Sequence, residues 1–176
     1  MSIRDAVQEY CRRDVLHKLL LPGYAGTERR EVCLSDKINP LITGPWQDGA
    51  HMSVCQRVAA GLMAIIEQEI ITVREGPPTD DDAQVARLVP HDIIELRCFK
   101  AEPSVRILGY VAEKNLHIGL IWRFRHQLGS FGSPEWESAI RECETDWIAL
   151  FPFYAPVTGG RFPDDYFVGT IPARDR

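Results

Sequence analysis

Apolar positions recur at helical spacing in three stretches of the chain. In the first, Val7, Tyr10, Cys11, Leu16, Leu19 and Leu20 fall near one face between Ser2 and Leu21. Ser2 can cap that helix, Asp5 sits in its first turn, and Pro22-Gly23 stops it. The second stretch, Ala50 to Thr72, carries Cys55, Val58, Ala59, Leu62, Ile65, Ile66 and Ile70 at the same period, with Met52 and Met63 beside the stripe. The third opens cleanly at Ser133-Pro134-Glu135, with Ser as cap and Pro at the first helical position. Its apolar face is Trp136, Ile140, Cys143, Trp147 and Leu150, and Pro152 ends it.

Between the second and third helices the period changes to two. Asp92 to Lys100, Ser104 to Ala112 and Leu116 to Arg125 read as consecutive antiparallel strands. Shorter signals flank them. Glu31 to Leu34 reads as a short strand, residues 35–43 as a helical turn capped by Ser35, and Ala83 to Leu88 as a short helix after Asp80-Asp81-Asp82. The run Glu75 to Asp82, EGPPTDDD, is a linker, because two prolines forbid helix and three acids prefer solvent. From Phe151 onward Pro, Gly and aromatic residues indicate an extended tail packed on the body.

The pattern predicts one α+β domain over 1–176. It has a helical part at 1–74, a linker at 75–84, a sheet-plus-helix part at 85–150 and a tail at 151–176. The sheet is small and antiparallel, of three to four strands, with helices at 50–72 and 134–150.

The middle two strands carry the most chemistry. A two-residue loop at Lys114-Asn115 pairs Glu113 with Leu116, Tyr110 with Gly119 and Arg106 with Arg123. One face is then apolar, from Val105 and Ile107 to Trp122 and Phe124, and the helix after Pro134 is expected to cover it. The other holds Arg106, Tyr110, His117 and Arg123 around Gly119. Opposed arginines repel unless an anion or acid joins them. Phosphate is one such anion and Glu95 on the preceding strand is one such acid. Tyr110 and His117 are candidates for proton transfer or base stacking, and Arg125 would line the rim.

Composition narrows the choices. The 176 residues are 45% hydrophobic and 26% charged, with net charge −5, which argues against a protein that coats nucleic acid. The charge is uneven. Residues 97–126 hold six Lys/Arg and two acids, while residues 131–176 hold eight acids and four Arg. The amino-terminal residues lack a signal-peptide core, and the apolar runs are too interrupted for a membrane span, so the reading is cytoplasmic. Five cysteines without a CxxC pair, and no Cys/His cluster at ligand spacing, predict buried or half-buried free thiols and neither metal nor cofactor. Walker, dinucleotide, nucleophile-elbow and zincin motifs are not found.

The run Ile93 to Arg125, followed by a helix, resembles the C-terminal half of the RelE/HigB-like toxins of toxin–antitoxin modules. Glu95, Leu96, Arg97, Arg106, Ile107 and Tyr110 carry the resemblance. It implies helices against a small antiparallel sheet, and cleavage of ribosome-bound mRNA by basic and aromatic residues on an open sheet face. Here the third strand ends Trp122-Arg123-Phe124-Arg125-His126 without the family's paired lysines, and the chain is acidic and longer.

Two functions follow. The first is an interaction protein of the immunity, antitoxin or phage-inhibitor type, which binds a protein partner through Asp80, Asp81, Asp82 and the acidic tail. The second is an RNA-acting relative of the toxins that uses Arg106, Arg123 and Arg125 for phosphate, with Tyr110 and His117 as catalytic candidates. Net charge and the missing lysines favour the first.

Overall fold

The computed structural model describes residues 1–20, 30–45, 48–67, 71–75, 86–98 and 103–172. In chain order its elements are α1 (Ile3–Arg12), β1 (Leu16–Lys18), β2 (Glu31–Ser35), α2 (Asn39–Thr43), α3 (Gly49–Glu67), β3 (Ile71–Glu75) and β4 (Ala86–Leu88). They continue with β5 (Ile94–Cys98), β6 (Val105–Glu113), β7 (Leu116–Phe124), α4 (Pro134–Leu150) and β8 (Thr170–Pro172). Short 3-10 turns at Pro90–Asp92 and Arg125–Gln127 separate some of them.

The α+β class is as expected, and the sheet is larger. It has eight strands in the order β1-β2-β7-β6-β5-β4-β3-β8. β4 to β7 form an antiparallel meander. The pairs β2–β7, β3–β4 and β3–β8 are parallel, so the sheet is mixed. The added strands are three to five residues long, too short to show a period.

Several local expectations are corrected. α1 ends at Arg12, and Asp14, at φ 55°, turns the chain into β1. Ser2 does cap α1, in a reciprocal pair with Asp5. Ser35 caps nothing, because its hydroxyl donates to the Leu120 carbonyl at 2.6 Å. Of the residues expected to be helical before Val89, Ala86–Leu88 form β4, and Ile71 and Thr72 belong to β3. Glu75, where the linker was expected to begin, closes β3, and the rest of the linker, with Asp80, Asp81 and Asp82, lies outside the described residues.

Helices cover both faces of the sheet. α3 lays Val54, Cys55, Val58, Leu62, Ile65 and Ile66 on one face, against Val32, Leu34, Leu96, Ile107 and Val111. α1 and α4 cover the other, over Cys33, Leu108, Tyr110, Ile118 and Leu120. By length and composition alone Gly49–Ile66 could cross a membrane, and a third of that window is buried in the fold.

The tail does pack on the body. Tyr166 and Phe167 are buried in the α3-side core. Asn115, with the positive φ expected of that turn, joins three elements: its carbonyl accepts from Glu31, its amide donates to Tyr166, and its side chain accepts from Val168. Buried Arg30 binds the carbonyls of Ile65 at 3.0 Å and Gly169 at 2.9 Å, tying β2 to α3 and the tail.

Candidate functional site

The hairpin β6–β7 begins and ends in the expected register and departs from it in between. Glu113 pairs with Leu116 and Arg106 with Arg123, but Tyr110 faces Ile118 and Gly109 faces Gly119. Two irregularities account for this: Ala112 is extra on β6 and Leu120 is extra on β7. A one-residue slip moves side chains to the opposite face. His117 and Gly119 therefore turn toward α3, while Ile118 and Leu120 turn toward α4. At Gly119 a Cβ would stand 3.0 Å from Leu34 Cδ2 and 3.1 Å from Ile107 Cγ2, so the bare position serves packing and leaves no ligand gap. At Gly109 a Cβ would collide with the Ile118 carbonyl oxygen at 1.9 Å.

The open polar face is therefore replaced by two separate buried environments. Toward α3, His117 is 1% exposed, and neither ring nitrogen has a partner among the described residues. Burial pushes it down to about 3, so it is neutral at physiological pH. Toward α4, Tyr110 is buried against Trp147 at a ring separation of 5.2 Å. Burial raises its hydroxyl above the ordinary phenol range. α4 thus covers the arginine-bearing face, and α3 covers the face assigned to α4 from the sequence.

Under α4 the sheet carries two charged rows. Arg97, Arg106 and Arg123 stand side by side across β5, β6 and β7, and Arg87 stands beside Glu95 across β4 and β5. Glu95, 2% exposed, accepts from Arg87 Nε at 2.6 Å and lies 3.2 Å from Arg106 Nε. Glu95 is thus the internal acid for Arg106, but the expected partnership with Arg123 is not made, because Arg123 takes Glu142. Arg106 also donates to Ser104 Oγ at 2.7 Å and to the Val105 carbonyl at 3.1 Å. Burial, with Arg97 and Arg125 nearby, holds Arg106 down to about 10 despite Glu95. Arg123 pairs with Glu142 of α4, and Arg125 reaches the Gly129 carbonyl at 2.5 Å. Trp136 and Phe131 close over Arg87, 5.3 and 5.7 Å from its guanidinium carbon.

α4 is acidic along its two margins, while its solvent-facing positions past the first turn are Ser138, Arg141, Thr145, Ile148 and Ala149. Glu135, Glu137, Glu142, Glu144 and Asp146 stand against Arg141 alone. Lys37 bridges Glu142 at 3.0 Å and Asp146 at 2.7 Å, and His91 meets Glu144 at 2.6 Å. Glu135 and Glu137 have no ion-pair partner among the described residues. Bonds from its own backbone and Ser133 hold Glu135 below the usual carboxylate range, so it is charged. At the other end of the helix Ile148 is 64% exposed, and Phe153, just beyond, is 91% exposed.

Ile148 was visible in the sequence as an apolar residue outside the helical stripe. Phe153 was not, since the tail aromatics look alike and Phe151, Tyr166 and Phe167 are buried. Among the described residues no group of three His, Cys, Asp or Glu is placed to hold a metal ion. No protein-family model, curated protein or solved structure matches the chain.

Proposed function

We propose that this chain is a small cytoplasmic interaction protein, of the immunity, antitoxin or phage-inhibitor type, that holds a basic protein partner against the outer side of α4. The observation that carries this reading is the exposure of Ile148 and Phe153 at the end of a helix bearing five acids and one base. Exposed apolar anchors beside a like-charged rim are the usual chemistry of a protein-binding surface. Acids there would speed encounter with a basic partner, and the anchors would slow its release.

The test is cross-linked capture from the native host with the full chain. One comparison variant is Ile148→Asp with Phe153→Asp, and the other is Glu135→Lys with Glu137→Lys. A basic protein held by the native chain and reduced at least about tenfold in both variants supports the reading. A partner set unchanged in both variants overturns it.

A second reading rests on the aligned Arg97, Arg106 and Arg123. In it the chain is a diverged relative of the RelE/HigB-like toxins and meets RNA phosphate at that end of the sheet, once Glu142 releases Arg123. Growth arrest on expression, abolished by Arg106→Ala with Arg123→Ala, would favour this reading. Harmless expression without RNA cleavage would remove it.

A further inference from the structure

Away from α4, α1 and the β1–β2 edge of the sheet enclose a cavity of about 330 Å³. Its lining includes Arg4, Arg12, Lys18 and Glu31, together with two cysteines that are distant in sequence, Cys11 and Cys33. Cys11 is half-buried in the last turn of α1, and Cys33 is buried in β2. Their sulfurs are 3.9 Å apart. That is too far for a disulfide, whose S–S bond is about 2.05 Å. It is close enough that a modest shift of a helix end would close the gap.

We propose that Cys11 and Cys33 form a dithiol site that exchanges with a low-molecular-weight disulfide bearing carboxylates, for which glutathione disulfide is the natural probe.

Access assigns the roles. Both line the cavity, but Cys11 is half-buried and Cys33 is 1% exposed, so Cys11 attacks first. A hydrogen bond from Cys33, a backbone bond from Lys18 and the charges of Lys18 and His17 bring the Cys11 thiol down to about 7 against the cost of burial. Cys33 is pushed well above the ordinary range, chiefly by its hydrogen bond with Cys11 and by burial. The cavity lining has three cations to one acid: Glu31 takes Arg4 at 2.5 Å and Lys18 at 3.0 Å, Arg4 also meets Glu113, and the exposed Arg12, held by Glu9 of its own helix at 2.6 Å, is the cation best placed for a carboxylate-bearing ligand. Cys55, Cys98 and Cys143 are buried, and burial raises the latter two. They act as internal controls.

The chemistry balances without a metal or cofactor. The Cys11 thiolate attacks one sulfur of the small disulfide, that S–S bond breaks, and half of the reagent leaves as a thiolate that takes up a proton. Cys33 then attacks the Cys11 sulfur of the mixed disulfide. Its proton passes to solvent, and the second half leaves and is protonated in turn. The protein gains one disulfide, and the oxidant is reduced to two thiols.

The test treats the full chain with glutathione disulfide and reads intact mass and peptide maps. The native chain should lose two hydrogens and join the Cys11 and Cys33 peptides. Cys33→Ser should stop with glutathione on Cys11, and Cys11→Ser should take up none while folded. Glutathione spread over several cysteines, or a Cys33→Ser chain that takes up none, overturns the proposal. Should Cys33→Ser not fold, the native protein still decides. Cys11 should be the one cysteine alkylated while folded, about threefold faster at neutral pH than an unshifted thiol. Alkylation no faster than that thiol counts against the site. A neutral small disulfide reacting as fast as glutathione disulfide overturns the carboxylate preference.

Discussion

The two faces of the sheet handle buried polarity in opposite ways. Toward α3 the core is apolar around one histidine, which stays neutral and makes no hydrogen bond among the described residues, and the buried Arg30 at its margin is held by carbonyls of α3 and the tail. Toward α4 the sheet buries Arg87, Glu95, Arg97 and Arg106, with the rings of Trp136 and Phe131 over Arg87. A lone titratable group in a dry site gives up its charge, whereas charges that keep partners can stay ionised. The difference teaches that a buried charge belongs to its network and not to its strand.

Glu95→Ala should have the largest effect, because it strips the shared acid from Arg87 and Arg106 at once. Removing one partner of a buried ion pair costs about 3–5 kcal/mol. Urea unfolding should register a loss of that size. A loss under about 1 kcal/mol would mean that the carbonyl and ring contacts of the arginines suffice without the acid.

His117 is the next test, and its effect depends on pH. Its folded value lies near 3 and the unfolded chain's near 6.5, so between those values the unfolded chain takes a proton that the folded chain refuses. Stability contributed by the neutral ring is therefore present above pH ~6.5 and lost as pH falls, by about 1.4 kcal/mol per unit. By pH ~5 the loss is about 2 kcal/mol. His117→Leu should remove that part of the acid sensitivity, and unfolding curves at the two pH values will show it. An unchanged pH dependence would place the proton elsewhere.

Lys37→Ala should matter least. It breaks bridges to Glu142 and Asp146 at the half-exposed margin of α4. Such surface pairs contribute about 0–1 kcal/mol. A larger loss would make the margin part of the buried network, through the bond between Glu142 and Arg123.

The sequence made the long elements legible and hid what they cover. α3, α4 and the meander strands β5 to β7 show their periods clearly, and Asn115 marks the turn. The pairing of Arg106 with Arg123 was readable only because the extra residues Ala112 and Leu120 lie on opposite strands and cancel. Between them the face of each β7 residue could not be read, since nothing in an apolar run announces a bulge. The choice between α3 and α4 as cover was hidden too, because both faces of the hairpin carry enough apolar surface to attract a helix. The approach of Cys11 to Cys33 depends on β1 pairing with β2, which sets Lys18 opposite Cys33, and β2 in turn docks in parallel on β7, contacts that local pattern does not encode.

That docking bears on how the protein is made. β2 gains its inner neighbour only when Leu116 to Gly119 arrive, and β3 gains its outer one only with Thr170 to Pro172. At a synthesis rate of about 5–20 residues per second, β2 waits several seconds with an unpaired edge. The meander from β4 to β7 is the longest antiparallel run of strands assembled from neighbours in sequence, so it should be the first part of the sheet to form. Earlier and later segments then join it from either side, and until they do the nascent chain offers open strand edges to a chaperone, or to another copy of itself.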